Sequence, residues 1–334
     1  MSRLQPGNSV GPTNSICDVE GIRVGHAQDL DLVTGTTVVL PEKPCVAAVD
    51  HRGGGIGARD TVLLNAGSGV PHVHAITLSG GSAYGLDASG GVMQGLRQDG
   101  IGMTLKDAVV PIVPAAIIFD LLIGKVMGWD HPPWWDLGLE AYHAAKPETG
   151  LGNVGAGTGA TAGSIKGGLG TASAVTSDYT VGALSVANPV GEVLIPDTRT
   201  FWGWMFERDG ELGGQTPPTN PIHPTPIPDS QPGANTTLAV VATDADLTRD
   251  QAYRVAIMAQ DGFAQTIRPV HSPMDGDTVF VLSTGVKPFA ESPMAMTELG
   301  TLAAECVARA VMRGVHAAGP LGGYASYQSL AGGD

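Results

Sequence analysis

Few groups of residues in this chain have types and spacings that could carry chemistry. Gly155-Ala156-Gly157-Thr158-Gly159-Ala160 partly matches a dinucleotide fingerprint, in which glycines let the backbone approach a pyrophosphate. The surrounding stretch is small and polar, with no strand before it and no clear acidic residue about 20 positions later, so nicotinamide binding is not expected. Ser164-Ile165-Lys166-Gly167 sets a lysine among glycines in the wrong order for a phosphate loop. His72-Val73-His74 puts two imidazoles on one face of a strand, yet no third ligand of suitable spacing stands nearby. Gly80-Gly81-Ser82-Ala83-Tyr84-Gly85 lacks the Gly-x-Ser-x-Gly spacing of a nucleophile elbow, which weakens a Ser-His-Asp hydrolase. What remains is Asn235-Thr236-Thr237-Leu238, where a Pro-rich stretch meets a β-branched run. Taken alone, a threonine at a strand start is a structural residue.

The elements that must position these residues read as α/β. Short β-branched runs at residues 22–24, 36–40, 47–50, 180–186 and 192–194 predict strands, and Thr236 to Thr243 (TTLAVVAT) predicts another. Helices are expected from Ser82 to Gln98, from Thr248 to Ala264 with Thr248 as N-cap, and from Pro293 to Ala317 with Ser292 as N-cap. In the last, Val307, Val311 and Val315 recur every four residues beside Leu299, Leu302 and Cys306, a core-facing stripe. Gly210 to Gly233, with seven prolines from Pro217 to Pro232, reads as an extended, exposed connection. With no internal repeat or compact boundary, this connection is a loop within one domain rather than an interdomain linker.

Bulk properties exclude several classes. A length of 334 residues with 43% hydrophobic content supports a large buried core. The net charge is −14 and the basic residues are scattered, so nothing is suited to neutralise a phosphate backbone, and nucleic acid is not expected as a partner. Cys17, Cys45 and Cys306 are far apart and without CxxC spacing, which indicates neither a disulfide framework nor a thiolate metal site. The chain opens without a signal-like segment, and its longest uncharged apolar run, residues 108–119, carries Pro111 and Pro114. We expect a soluble, cytoplasmic protein without cofactor or metal.

Several segments together change the weight of Thr236. They are Thr-Asn-Ser-Ile at 13–16, Gly-Ile-Arg-Val-Gly-His at 21–26, Gly-Gly-Ser-Ala-Tyr-Gly-Leu-Asp at 80–87, the Gly-rich run at 152–163 leading to Lys166, Val-Ala-Asn-Pro-Val-Gly at 186–191, and Met-Asp-Gly-Asp-Thr at 274–278. In this order, over about residues 13–318, they resemble the P1 peptidase family (peptidase family S58) of the DmpA aminopeptidase, the β-peptidyl aminopeptidases and the nylon-oligomer hydrolases.

The resemblance implies a precursor that cuts itself between Asn235 and Thr236 into a large fragment, 1–235, and a small one, 236–334. Together they would form one α-β-β-α sandwich, assembled as a homo-oligomer, usually a tetramer. A threonine hydroxyl is a poor nucleophile until a base takes its proton, and a free α-amine with a reference pKa of about 7.7–8.0 is suited to that task. Thr236 as a new N-terminus would supply both groups. The resemblance also carries over Lys166 and the Asp275/Asp277 pair around Thr236, the carboxylates holding either the lysine ammonium or the threonine amine, and Asn188 as a side-chain donor to the oxyanion. The aminopeptidase branch carries a serine nucleophile and a tyrosine at the position of Phe119, so the motifs stand closer to the nylon-hydrolase branch. The expected activity is hydrolysis of short peptides or oligoamides such as 6-aminohexanoate oligomers. The alternatives are an L-aminopeptidase/D-amidase or a non-catalytic small-molecule-binding relative.

Overall fold

The computed structural model describes residues 8–125, 127–219, 222 and 235–330. Fourteen strands are named among them: β1 Ile22–Asp29, β2 Thr34–Pro41, β3 Val46–His51, β4 Ala58–Arg59, β5 Ile76–Ser79, β6 Met103–Leu105, β7 Ala108–Val110, β8 Ala115–Ile117, β9 Thr161–Ala162, β10 Ile165–Lys166, β11 Gly168–Val175, β12 Thr180–Ala187, β13 Leu238–Ala245 and β14 Thr278–Lys287. The α-helices are α1 Ala88–Gln98, α2 Trp134–His143, α3 Arg249–Ala259, α4 Asp261–Ala264 and α5 Pro293–Ala317.

Two five-stranded sheets are built from them, in the orders β1-β2-β5-β8-β4 and β11-β12-β13-β14-β3. In the second sheet only β13 and β14 run parallel. Strand alternation then assigns side chains to layers. From β13 and β14, Leu238, Val240, Phe280 and Leu282 point toward the first sheet and meet Val39, Ile76 and Leu78. Their neighbours Ala239, Val241, Val279 and Val281 point the other way, against Val255 and Ala259 of α3 and Val307, Val311 and Val315 of α5. On the far side, Val38 and Leu40 of β2 pack under Val92 and Leu96 of α1 and Leu137 and Ala141 of α2. The result is a single mixed α/β domain in four layers, α-β-β-α.

Helix α5 matches its expected limits, with the Ser292 hydroxyl accepting from the Ala295 N–H. Other expectations need correction. Residues 82–87 form a 3-10 turn that leads into α1. The segment expected as one helix from Thr248 is capped at Thr248 but divides at the buried Gln260 into α3 and α4. Glu192 and Leu194 make only isolated bridges, to Arg268 and Phe201, rather than a strand. The ladder of β13 starts at Leu238, so Thr236 and Thr237 precede the strand.

The start of the expected Pro-rich connection is largely exposed, as expected, but it is anchored at a few points. Leu212 is buried, the Glu207 carboxylate accepts from the N–H groups of Leu212, Gly214 and Gln215, and Glu211 pairs with the fully buried Arg309 at 2.6 Å. Its remainder, residues 220, 221 and 223–233, lies outside the described residues, as does 234. Among the described residues no helix is long and apolar enough to cross a membrane.

Candidate active site

Because β13 and β14 are parallel, the segments entering both strands arrive at the same end of the sheet. Residues 235–237 therefore run beside Asp275-Gly276-Asp277, in parallel register from Asn235 with Asp275 onward. Cross-links follow the register: Gly276 N–H donates to the Asn235 carbonyl at 3.2 Å, and Thr278 N–H to the Thr237 carbonyl at 3.1 Å. From the other neighbour, the end of β12 supplies the Asn188 carbonyl, which accepts from Thr236 N–H at 2.7 Å. Thr236 is buried, and its hydroxyl lies 2.5 Å from the Asn235 carbonyl oxygen.

Each aspartate has a separate task. Asp277 accepts from Thr237 N–H at 2.9 Å on one oxygen; its other oxygen meets the His271 N–H at 3.0 Å and the His271 Nδ1 at 2.8 Å. Asp275 accepts from Val190 N–H at 3.0 Å and from the Ser272 hydroxyl at 2.5 Å. Burial and the nearby Asp277 charge raise the Asp275 pKa above the usual carboxylate value. The Gly53–Gly55 turn seats this loop. A Cβ on Gly53 would stand 2.1 Å from the Asp275 carbonyl oxygen, so only glycine lets the two backbones approach.

Asn188 is oriented by Thr161, whose N–H donates to its Oδ1 at 2.8 Å. That bond fixes the amide and leaves Nδ2 buried without a hydrogen-bond partner among the described residues. A buried unpaired donor costs about 1–3 kcal/mol, and this one is carried by the residue whose carbonyl accepts from Thr236 N–H, which makes it available to an acceptor near that site.

Lys166 sits on the β9–β10 hairpin, fully buried, and its ammonium donates to the carbonyls of Gly157 at 3.1 Å, Ala160 at 2.6 Å and Gly167 at 3.0 Å. All three N–H groups are thereby used, and the expected pairing with Asp275 and Asp277 is not what holds it. Burial lowers its pKa to about 7, opposed by the charge of Asp120, whose own pKa burial raises to about 6. Asp120 in turn accepts from the Thr34 hydroxyl at 2.7 Å and from Gly81 N–H at 2.7 Å. Lys166 reaches Thr236 only indirectly: it gathers the loop ending at Ala160, and the next residue, Thr161, orients Asn188.

Asn235, Thr236, Asn188, Asp275 and Asp277 are thus joined by direct contacts or through one intervening backbone group, and Lys166 stands one loop away. Sequence reasoning missed His271, Ser272, Thr161 and Asp120. No local period links His271 to Asp277 or Thr161 to Asn188, and only the fold joins them. His74 and Trp202 have ordinary structural duties. His74 Nδ1 accepts from Ile112 N–H at 3.0 Å, and Trp202 is buried with the Arg268 guanidinium 4.2 Å above its ring.

A carbonyl beside a hydroxyl, its oxygen accepting from the Gly276 N–H and from that hydroxyl, is an arrangement that acyl transfer can use. Comparison with known proteins agrees. Residues 14–328 match peptidase family S58. An uncharacterized aminopeptidase of Mycobacterium tuberculosis is 46% identical over 341 residues, covering 95% of this chain and 98% of its own. The 6-aminohexanoate-oligomer endohydrolase of Paenarthrobacter ureafaciens is 28% identical over 327 residues, covering 92% and 88%. Among solved structures, the L-aminopeptidase D-Ala-esterase/amidase of Ochrobactrum anthropi, described as a new variant among the Ntn hydrolase fold, aligns with a TM-score of 0.70 at 21% identity, covering 93% of this chain and 88% of its own, a likeness of fold. From its motifs, its four layers and this match along nearly its whole length, the chain belongs to peptidase family S58 and is a peptidase or amidohydrolase.

Proposed function

We propose that the chain is an autoproteolytic N-terminal-threonine hydrolase of short peptides and unhindered oligoamides. The observation that carries this reading is the placement of the Thr236 hydroxyl beside the Asn235 carbonyl, to whose oxygen it donates at 2.5 Å while Gly276 N–H donates to the same oxygen at 3.2 Å. Attack of Oγ on that carbonyl forms an ester as the Asn235–Thr236 amide breaks and the hydroxyl proton passes to the departing nitrogen. Water then opens the ester, leaving fragments 1–235 and 236–334 and a free α-amine on Thr236. In turnover this amine takes the hydroxyl proton, Oγ attacks the substrate carbonyl, and Asn188 Nδ2 donates to the oxygen that gains charge. Asp277, through Thr237 N–H, holds the backbone beside the nucleophile. Lys166 supports the loop that orients Asn188, and its charge acts on the amine from a distance.

The relative acting on 6-aminohexanoate oligomers supports oligoamides as substrates, and the more similar mycobacterial relative supports terminal cleavage of peptides. Processed protomers assemble as a homo-oligomer, a tetramer on family resemblance, and the free cysteines fit the reducing cytoplasm. Denaturing electrophoresis tests the core of this proposal: wild type gives two bands and Thr236→Ala gives one. A single band from active wild type would refute it.

A further inference from the structure

In the intact chain, Asn235 occupies the acyl side of the reaction, since its carbonyl is the one Thr236 attacks. Whatever surrounds the Asn235 side chain therefore surrounds the acyl chain of a substrate that later presents its carbonyl at the same place. The Asn235 Nδ2 donates to the Pro189 carbonyl at 3.1 Å. The same carbonyl accepts from Gly163 N–H at 3.2 Å, at the tip of the β9–β10 hairpin. Gly163 lies directly against Glu192: a Cβ there would stand 2.5–2.6 Å from the Glu192 carboxylate atoms. This carboxylate accepts from Ser164 N–H at 3.0 Å and from its hydroxyl at 3.2 Å. Burial raises its pKa, opposed by those two hydrogen bonds. Asp275 pairs with Asn235 in backbone register, and its carboxylate accepts from the N–H of Val190, the residue after Pro189. The amide nitrogen thus rests on a carbonyl it shares with Gly163 N–H, and Gly163 in turn lies against the Glu192 carboxylate, a setting suited to an ammonium.

Counting bonds gives the length of the acyl chain. From the Asn235 carbonyl carbon, Cα, Cβ and Cγ intervene before Nδ2, which is the skeleton of a 4-aminobutanoyl group. We infer that the acyl pocket binds unbranched ω-aminoacyl groups with the amine on the fourth carbon, the ammonium donating to the Pro189 carbonyl and facing Glu192. This rests on Thr236 as nucleophile. In the step, Thr236 Oγ bonds to the acyl carbon, the amide C–N bond breaks, and the hydroxyl proton leaves with the amine product. Water then cleaves the ester, releasing 4-aminobutanoate and restoring the hydroxyl.

The test uses fully processed enzyme and four amides followed by mass spectrometry: 4-aminobutanoyl-glycine, 3-aminopropanoyl-glycine, 6-aminohexanoyl-glycine and butanoyl-glycine, with L-alanyl-glycine alongside. We expect kcat/KM for 4-aminobutanoyl-glycine to exceed that for butanoyl-glycine about 10-fold or more, the scale of a charged hydrogen bond, and to exceed the shorter and longer amines. In Glu192→Gln the ratio of 4-aminobutanoyl-glycine to butanoyl-glycine should collapse toward one. Equal rates with and without the amine, or a clear preference for L-alanyl-glycine, would overturn the inference while leaving Thr236 as nucleophile. A ratio unmoved in Glu192→Gln would remove Glu192 as anchor; should that variant not fold, the wild-type comparison decides alone. If fully processed enzyme cleaves none of the five, the proposed hydrolase itself fails.

Discussion

The backbone N–H of Gly276 points at the carbonyl of Asn235 from 3.2 Å, so the carbonyl ahead of Thr236 already has a hydrogen-bond donor. Gly276 also leaves room for the Thr236 side chain, because a Cβ there would stand 2.6 Å from the Thr236 hydroxyl and 2.6 Å from the Gly55 carbonyl oxygen. Gly276→Ala should therefore displace Oγ and slow self-cleavage by at least about 10-fold, a change of some 1.4 kcal/mol in the barrier. The fraction of two-chain protein against time after synthesis reads this directly. Cleavage at the wild-type rate would show that the contact does not matter.

Among the described residues Asn188 Nδ2 is buried without a partner, while Thr161 holds its Oδ1. Such a donor acts on the charged intermediate more than on bound substrate. Asn188→Ala should lower kcat by about 10²–10³ with little change in KM. Steady-state kinetics on processed variant protein checks it, and near-normal kcat would remove Asn188 from the mechanism.

If the Thr236 amine is the base, the rate rises with pH as the amine loses its proton. Nearby negative charge raises the controlling pKa and positive charge lowers it. Asp277→Asn should move the acidic limb of the rate profile to lower pH, and Lys166→Met should move it to higher pH to the extent that Lys166, with a pKa of about 7, is still protonated there. Both variants are to be measured as processed protein. An acidic limb unmoved in both would leave these charges a structural role alone.

Much of the fold is legible in the sequence because its signals are local. Helix α5 carries its own cap at Ser292, a proline at the first turn and valines every four residues, all of which act within a few residues of one another. The strands β1, β2, β3 and β12 announce themselves by β-branched runs. Which strands pair is not local: nothing in residues 238–245 or 278–287 says that they lie parallel, yet that pairing brings Asp275 and Asp277 beside Thr236. Asp120 and His271 are silent for the same reason, since each meets its partner only through the fold. Lys166 stands out in the sequence but its surroundings do not, because the three carbonyls around it carry no side-chain signature.

Lys166 also marks the stability profile. Burial lowers its pKa from 10.5 to about 7, so between those values the unfolded chain binds a proton that the folded chain does not. Stability then rises with pH across that window. The unfolding free energy of wild type relative to Lys166→Met should climb between pH 7 and 10, by on the order of a few kcal/mol in total. Denaturant titrations at several pH values test the slope, and a flat difference would contradict a buried lysine with a depressed pKa.

The central claim is that Thr236 becomes an N-terminus, and N-terminal sequencing of purified, active enzyme tests it most directly. The account predicts two sequences in equal amounts, one from the start of the chain and one reading Thr-Thr-Leu-Ala-Val from Thr236, with the second absent in Thr236→Ala. Active enzyme showing only the first sequence, or a second chain that starts anywhere else, would contradict it.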